Sequence, residues 1–272
     1  MNIAGVELLD PAPVAGGDIC RSFRARTTAG RPVFVKSLSP APAGFFAAEA
    51  RGLQWLRVAG GPQLPEVIAA GEDGLVVEWV ELGRPTAAAA EEFGRALARM
   101  HAAGPKRFGA DRDGFIGSLP LANGSAPDWP AFYVEHRVAP YLSALSRDER
   151  RVVEQLCARI ADVAGPAEPP ARIHGDLWSG NVVWAADGTV WLVDAASAHG
   201  GHRESDLAML ALFGVPHLDA ILGAYDEVHP LADGWRSRIP LHQLHPLLVH
   251  ARLFGGSYGV RAAAAARAAL AA

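Results

Sequence analysis

The sequence has only two cysteines, Cys20 and Cys157, which are too few for a disulfide framework. It has no apolar run of membrane-spanning length, since stretches such as 207–215 are far too short. It also lacks a basic stripe, and its net charge of −4 argues against nucleic acid as the main partner. The chain does not start with a basic segment and an apolar core, so we expect no signal peptide and a reduced cytoplasmic setting.

Apolar residues make up half of the 272 positions, which is ample for a sizeable core in one large domain or two lobes. Alternating apolar residues in the first 81 positions predict strands, and one stretch, 43–58, predicts a helix. From residue 87 onward the apolar spacing is mainly helical. The sequence carries no signal for oligomeric state, and a monomer is our expectation.

The most informative stretch is 173–181, which reads IHGDLWSGN. Asp176 and Asn181 are separated by four residues, the spacing of a kinase catalytic loop. In such a loop the Asp accepts the proton of the attacking hydroxyl, and the Asn holds a metal ion on the nucleotide phosphates. A second apolar run ends at Asp194, and an Asp-Gly pair between the two runs predicts a hairpin turn. The sequence therefore predicts a base, Asp176, beside two metal ligands, Asn181 and Asp194.

An ordinary hairpin with a polar entry loop would also account for these residues taken one at a time. Features upstream favour the kinase interpretation. Gly16 and Gly17 lie in a strand-to-strand turn, where glycines let backbone N–H groups approach phosphates, although a plain hairpin turn is their commoner origin. Lys36 ends an alternating strand, where a kinase has the lysine that contacts the α- and β-phosphates. A solvated edge lysine is the alternative.

The string HGDLWSGN at 174–181, followed by HRESDLAM at 202–209, resembles the fructosamine 3-kinase (ketosamine 3-kinase) family. That family belongs to the aminoglycoside phosphotransferase and choline kinase group, which has a protein-kinase-like fold. The resemblance continues in FIGSLP (115–120), DWPAFY (128–133), EVHPLADGW (227–235) and LFGGSY (253–258). One departure is Ala195, because the family usually has Pro directly after the metal-binding Asp.

The resemblance implies an α+β, two-lobed protein-kinase-like fold. Residues 1–80 would form an N-terminal nucleotide-binding lobe, with an antiparallel β-sheet and one helix. Residues 81–272 would form a mainly α-helical lobe that carries the catalytic loop and the substrate site. In this fold a buried Asp often braces the backbone of the catalytic loop, and we expect Asp206 to do so.

The implied cofactors are ATP and Mg²⁺. Glu49, on the helix of the small lobe, would pair with Lys36 and fix its position. The backbone near Glu78 and Val80 would hydrogen-bond the adenine. The implied reaction transfers the γ-phosphoryl group of ATP to the third-carbon hydroxyl of a free or protein-bound ketosamine. Because the product releases its amine, the implied role is deglycation.

Trp178 lies two residues after the predicted base, inside the loop that would face the acceptor. Its indole would offer a flat wall to a sugar and a cation–π contact to the amine, unless it packs into the large lobe instead. His202, Arg203 and Glu204 would flank the same cleft, either touching substrate or bracing the loop. Two other functions stay open, a kinase for aminoglycosides or other small alcohols and a nucleotide-binding module without catalysis.

Three further patterns concern the large lobe. Residues 102–127 are rich in Gly, Pro, Asn and Asp, which predicts a long ordered loop. Residues 129–142 predict a helix. Ser146 and Glu149 form a capping-box pattern that opens the next helix.

Overall fold

The computed structural model describes residues 1–14 and 19–272. The first strands are β1 (Asn2–Ile3), β2 (Val6–Pro13), β3 (Arg21–Thr27), β4 (Pro32–Ser37), β5 (Val67–Ala70) and β6 (Gly74–Glu78). They form one antiparallel sheet in the order β1-β2-β3-β4-β6-β5. Val35 of β4 pairs with Val76 of β6, and both side chains are fully buried with Val33. The period-two alternation in β4 therefore puts one face of the sheet into a core.

Helix α1 (Phe45–Leu56) packs against β5 and β6. Its side chains Phe46, Leu53 and Leu56 are buried in the same core cluster as Leu75 of β6. The chain leaves the sheet after β6, and we propose the boundary between the two lobes close to residue 80. The predicted order of strands and helix in this part of the chain is confirmed.

The rest of the chain is mainly helical, as predicted. Its helices are α2 (Ala87–Ala102), α3 (Trp129–Phe132), α4 (Arg147–Ala158), α5 (Ile160–Val163), α6 (Arg203–Phe213), α7 (Leu218–Val228), α8 (Trp235–Phe254) and α9 (Tyr258–Ala271). Helices α2 and α7 pack closely at Gly94, where any side chain would overlap the Ile221 carbonyl. Helix α8 packs on α9, whose small Ala262 and Ala266 are buried. Within 1–14 and 19–272, no helix is long and apolar enough to cross a membrane.

The segment 102–127 is more than the predicted loop. It contains a short antiparallel hairpin of β7 (Gly114–Ile116) and β8 (Leu119–Leu121). Gly117, at φ +56°, lies in the turn between them. Strands of three residues are too short to show a period-two pattern, so the sequence could not indicate them.

The predicted helix over 129–142 is wrong in its regularity. Helix α3 is followed by a π-helical turn (Tyr133–Val138) and then by a 3-10 segment (Ala139–Ala144). Pro140 has no N–H and its ring crowds the carbonyl four residues earlier, which belongs to His136. That carbonyl instead accepts a hydrogen bond from Nη1 of Arg137 at 3.1 Å.

The remaining strands are β9 (Ala171–Ile173), β10 (Val182–Trp184), β11 (Val190–Leu192) and β12 (His199–Gly201). The predicted hairpin is confirmed, since β10 and β11 pair antiparallel with Val182 opposite Leu192. The predicted capping box is also confirmed, because the Ser146 side chain and the Glu149 carboxylate each accept the other residue's backbone N–H. The pairing of β9 with β12 was not predicted, and it places the loop that carries Asp176 beside the segment that follows Asp194.

Candidate active site

Strand β4 and helix α1 bring Lys36 and Glu49 together at one side of the sheet. Nζ of Lys36 donates to both carboxylate oxygens of Glu49, at 2.8 and 3.0 Å. It also lies 3.1 Å from Oδ2 of Asp194, which follows β11. The side chains of Lys36 and Glu49 are shielded from water, whereas that of Asp194 is half-exposed. The lysine therefore joins the sheet, the helix and the end of the hairpin in one ion-paired cluster.

The charges of this cluster hold one another in place. Burial alone would lower the pKa of Lys36, but the carboxylates of Asp194 and Glu49 outweigh burial and raise that pKa, so the ammonium stays charged. Burial raises the pKa of Glu49, and the neighbouring Lys36 opposes that rise. Because both Glu49 oxygens accept from one ammonium, the geometry is that of an ionised pair. The two carboxylates thus keep the Lys36 ammonium charged and fixed in position.

Asp176 and Asn181 lie in the loop between β9 and β10. Nδ2 of Asn181 donates to the backbone carbonyl of Asp176 at 2.8 Å. Since the amide nitrogen is used in this way, Oδ1 of Asn181 is left as an acceptor. The loop turns at Gly175, whose φ of +82° suits glycine, and a side chain there would overlap the Ser197 carbonyl. The turn at Gly175 thus sets the direction in which the chain enters the loop, and the Asn181 hydrogen bond ties the far end of the loop back to Asp176.

A buried network braces the entry to this loop. The carboxylate of Asp206 accepts from the backbone N–H groups of His174 at 2.7 Å and Gly175 at 2.9 Å. Nε2 of His101 lies 3.2 Å from the same carboxylate, and its Nδ1 lies 2.9 Å from the Tyr225 hydroxyl. The predicted bracing contact of Asp206 is thus present, and His101 and Tyr225 extend it into α2 and α7.

The surroundings of Asp176 raise the pKa of its carboxyl group. Burial, together with the negative charges of Asp194 and Asp206, raises the pKa of Asp176 to about 7, although the hydrogen bond from Asn181 acts against this rise. A general base is most effective when its pKa lies near the working pH. The environment of Asp176 therefore suits it to accept a proton from an alcohol.

Asn181 and Asp194 stand at the same end of the hairpin. The backbone N–H of Val193 donates to the Asn181 carbonyl at 3.2 Å, which ties the two strand ends together. Asp194 has a φ of +61°, a left-handed conformation that Asp adopts more readily than most residues. The amide oxygen of Asn181 and the carboxylate of Asp194 are hard oxygen donors, the kind that Mg²⁺ prefers. The donor set therefore fits a magnesium ion.

One cavity of about 1470 Å³ is lined by these groups, with Lys36, Asp176 and Asp194 among its walls. Glu78 and Val80, predicted to lie near the adenine, line it as well. Gly16 and Gly17, predicted to approach the phosphates, lie outside the described residues. The predicted nucleotide and metal residues that the structure describes thus face one shared space.

A family model described as fructosamine kinase matches residues 4–272 of the chain. The chain belongs to the fructosamine kinase family. Among similar proteins, one from Thermus thermophilus named a probable ketoamine kinase is 38% identical over 257 residues, covering 94% of this chain and 92% of the relative. The chloroplastic protein-ribulosamine 3-kinase of Arabidopsis thaliana is 33% identical over 261 residues, covering 90% of this chain and 78% of the relative.

Solved structures agree with this membership. The crystal structure of a candidate fructosamine-3-kinase from Thermobifida fusca superposes with a TM-score of 0.93 at 49% identity, covering 99% of this chain and 96% of that chain. An aminoglycoside phosphotransferase crystallised with ADP and hygromycin B gives a TM-score of 0.67 at 17% identity, covering 96% of this chain and 95% of that chain. The second likeness shows the fold alone, and that fold is the predicted two-lobed, protein-kinase-like one.

In this fructosamine kinase family member, helix α1 touches the segment after Asp194 at Gly52. A side chain at Gly52 would overlap the backbone carbonyl of Ala195, the residue after Asp194. Gly52→Ala is therefore expected to push the helix and the segment apart, at a cost of about 1–3 kcal/mol in the free energy of unfolding. Weaker Mg-nucleotide binding should accompany that loss. Urea unfolding and nucleotide titration measure the two effects.

Gly223→Ala is the matched control for this prediction. Gly223 lies within helix α7, and a side chain there would meet open space. Alanine is favoured over glycine in a helix by about 0.8–1.0 kcal/mol, so this control should raise stability and leave nucleotide binding unchanged. Equal stability changes for the two variants would contradict the close packing of Gly52 on Ala195.

Trp178 lines the same cavity as Asp176 in this kinase family member. Its side chain is exposed rather than packed into the core. Its ring lies nearly perpendicular to that of Phe213, with ring centroids 6.3 Å apart. The position is compatible with the predicted wall for a sugar, and it does not match the alternative of an indole buried in the large lobe.

His202 is buried against the rings of Trp129 and His242, at centroid distances of 5.0 and 4.7 Å, although it contributes to the cavity lining. Burial, and then the neighbouring His242, lower the pKa of His202 well below its usual range, so the imidazole is neutral at pH 7. Its Nδ1 accepts the backbone N–H of Glu204 and caps α6. His202 therefore has a structural task in addition to any contact with substrate.

The structure places the side chains of Arg203 and Glu204 away from the predicted substrate position. Nε and Nη2 of Arg203 each donate to Glu168 at 2.7 Å. Glu204 accepts from Arg238 at 2.9 and 2.6 Å. Burial raises the pKa of Glu204, but hydrogen bonds from His242 and Arg238 outweigh burial and hold it at about 2. Both side chains are buried in ion pairs, so bracing is what the geometry supports.

Several residues on the acceptor side were missed by the sequence reasoning. These are the aromatic side chains of Phe213, His250, Phe254 and Tyr258, which line the cavity together with Trp178. Phe213 and Phe254 are the last residues of α6 and α8. An apolar residue at the end of a helix normally indicates packing against the core, so the sequence offered no reason to assign these two to a cavity. The LFGGSY string, which includes Phe254 and Tyr258, was the only signal, and it was used for the family resemblance alone.

Proposed function

We propose that this protein is an ATP-dependent kinase that phosphorylates the third-carbon hydroxyl of ketosamines such as fructosamines and ribulosamines. The observation that carries the proposal is the bridge from Lys36 to Glu49 and Asp194 beside Asp176, in a chain that belongs to the fructosamine kinase family. The names of the relatives, ketoamine kinase and protein-ribulosamine 3-kinase, support the choice of acceptor. Loss of the amine from the product would make the reaction a deglycation.

The mechanism assigns one task to each polar group. Asp176 accepts the proton of the acceptor hydroxyl as its oxygen attacks the γ-phosphorus of ATP, and ADP leaves. The ammonium of Lys36, fixed by Glu49, binds phosphate oxygens and offsets their charge. Asn181 and Asp194 would hold Mg²⁺, which when bound neutralises the charge that develops on the phosphates.

The adenine would lie where the chain leaves β6. Glu78 and Val80 line the cavity there, and Trp79 between them does so too. Their backbone groups are the proposed partners of the base. Gly16 and Gly17 keep their proposed place over the phosphates.

A kinase for aminoglycosides is the closest alternative, and the charge of the cavity disfavours it. Polycationic acceptors call for several carboxylates around the acceptor. Among the described residues that line the cavity, the carboxylates are Glu49, Glu78, Asp176, Asp194 and Asp206. Lys36 pairs with two of these and Asp206 binds the loop backbone, while Glu78 is near the proposed adenine site. The acceptor side is lined by aromatic rings instead.

The test compares phosphorylation of fructosamines, ribulosamines and kanamycin-type aminoglycosides by the purified protein at equal concentrations. We expect ATP turnover that depends on a ketosamine. Faster turnover of an aminoglycoside would replace the proposed acceptor class. Nucleotide binding without turnover of any alcohol would favour the non-catalytic module.

A cytoplasmic setting and a monomer stay predictions, and the two free cysteines are compatible with a cytoplasmic setting.

Trp178→Ala tests the acceptor side of this proposal. If the exposed indole contacts the sugar and its cationic amine, the variant should raise the KM for ketosamine by roughly tenfold, or about 1.4 kcal/mol of binding. The KM for ATP should hardly change, because the indole lies on the acceptor side of Asp176. An unchanged ketosamine KM, or equal losses for both substrates, would return Trp178 to a packing role.

A further inference from the structure

Five rings form a continuous path from the catalytic loop to the outer surface of the large lobe. We call this path the aromatic platform, and it consists of Trp178, Phe213, His250, Phe254 and Tyr258. Its successive ring centroids lie 6.3 Å (Trp178 to Phe213), 5.3 Å (Phe213 to His250), and 5.5 and 4.9 Å (His250 to Phe254 and Tyr258) apart. These are contact distances for aromatic pairs. The five rings therefore form one continuous surface rather than isolated exposed side chains.

The platform leaves large apolar groups in contact with solvent. Trp178 is 40% exposed, Phe213 39% and Phe254 61%. All three line the same cavity as Asp176, so the exposed rings are continuous with the proposed reaction centre. Large exposed apolar surfaces on a soluble protein commonly mark binding sites. Packing of the fold does not account for them, since Phe254 keeps more than half of its accessible surface in contact with solvent.

The backbone at the outer end fixes the platform. Helix α8 ends at Phe254, and Gly255 and Gly256, at φ +64° and +62°, turn the chain so that Tyr258 starts α9. His250, one turn before Phe254, lies 4.9 Å from the Tyr258 ring in a stacked arrangement. Its Nδ1 lies 2.6 Å from the carbonyl of Pro246, which holds the imidazole in place. The outer rings are thus positioned before any ligand arrives.

The charges near the platform select the kind of ligand. Burial is the main cause that lowers the pKa of His250, and the nearby Arg261 lowers it further, so His250 is neutral at pH 7. None of the five platform residues carries a carboxylate. The guanidinium of Arg261 lies 5.4 Å from the centre of the Tyr258 ring. An uncharged apolar or aromatic group fits this surface, whereas a second cationic group does not.

We propose that the outer part of the platform, Phe213, Phe254 and Tyr258, is a subsite for the substituent on the amine of the acceptor. The inference rests on the proposed function. The acceptor hydroxyl must reach Asp176, and in a ketosamine the amine is attached two carbons from that hydroxyl. The substituent on the amine then extends away from Asp176, past Trp178 and over the outer rings. The enzyme should therefore prefer ketosamines whose amines carry aromatic or apolar substituents.

The experiment compares two small substrates that share the fructosyl group, the adducts of phenethylamine and of ethanolamine. With the unmodified protein, kcat/KM for the phenethylamine adduct should be roughly 3–10-fold higher, the gain expected from one or two ring contacts. The difference should lie in KM, because a contact made equally in ground and transition states changes binding without changing kcat. Phe254→Ala should reduce the preference to about twofold or less.

Val260→Ala is the matched control. Val260 is 60% exposed, close to the 61% of Phe254, and it lies in α9 without lining the cavity. It should leave kcat/KM for both adducts unchanged. Because Phe254 is mostly exposed, its truncation leaves the core intact and the variant can be compared at equal stability.

Three outcomes would count against the subsite. Equal kcat/KM for the two adducts would overturn it while leaving the proposed function in place. A Phe254→Ala variant that keeps the full preference, or lowers both kcat/KM values equally, would overturn it as well. Absence of turnover with either adduct would overturn the proposed function and this inference together.

Discussion

Asp176→Asn is expected to lower kcat by roughly 10²–10⁴-fold, the usual contribution of a general base. The amide keeps the size and the hydrogen-bonding reach of the carboxylate but cannot accept the hydroxyl proton. Nucleotide affinity should stay within about twofold, because Lys36, Glu49 and Asp194 form their ion pairs without Asp176. Steady-state turnover and titration with a non-hydrolysable ATP analogue measure the two quantities.

Asp111→Asn is the control for this prediction. The Asp111 side chain is 94% exposed and lies outside the cavity lining. The Asp111→Asn substitution removes one carboxylate from the protein without altering the site, so kcat should not change. Near-normal turnover by Asp176→Asn would rule out its role as the base. A loss confined to nucleotide binding would reassign Asp176 to the metal.

Glu204→Ala is expected to destabilise the fold by about 3–5 kcal/mol, the usual cost of leaving one member of a buried ion pair alone. Arg238 donates two hydrogen bonds to Glu204, and Nε2 of His242 lies 3.2 Å from the same carboxylate. Both members of the pair are at least nine-tenths buried. Removal of Glu204 would leave a guanidinium with little access to water. Urea unfolding followed by circular dichroism gives the difference.

Glu154→Ala provides the comparison on the surface. Glu154 accepts from Nε of Arg150 at 2.7 Å, and both side chains are about half-exposed. Exposed pairs of this kind contribute at most about 1 kcal/mol, so this variant should unfold close to the unmodified protein. If Glu204→Ala were no more destabilising than Glu154→Ala, the bracing role of the Glu204–Arg238 pair would be wrong.

The sequence predicted the parts of the site that depend on local spacing. Asp176 and Asn181 share one tight loop, and an Asp-Gly turn closes the hairpin that brings Asp194 beside Asn181. In each case a few neighbouring residues determine the geometry. The contact of Lys36 with Glu49 is not local, and it was anticipated through the family resemblance rather than from spacing.

Arg203 and Glu204 have partners far away in the chain, which sequence reasoning could not identify. Arg203 pairs with Glu168, 35 residues earlier, and Glu204 pairs with Arg238, 34 residues later. No periodicity relates such positions, so the sequence left substrate contact and bracing of the loop both open for these two residues. The aromatic platform was missed for a related reason. Phe213 and Phe254 end two different helices, α6 and α8, which are far apart in the sequence but pack together in the fold. Only the packed structure shows that both rings stay exposed.

The most direct test of the account is the position of the phosphate in the product of a small fructosamine. The protein, ATP and Mg²⁺ would be incubated with the fructosyl adduct of ethanolamine, and the product examined by carbon and phosphorus NMR before it decomposes. Phosphorus coupling at the third carbon of the sugar, absent with Asp176→Asn, is the predicted result. Phosphate on another carbon, or no ATP-dependent product, would contradict the account.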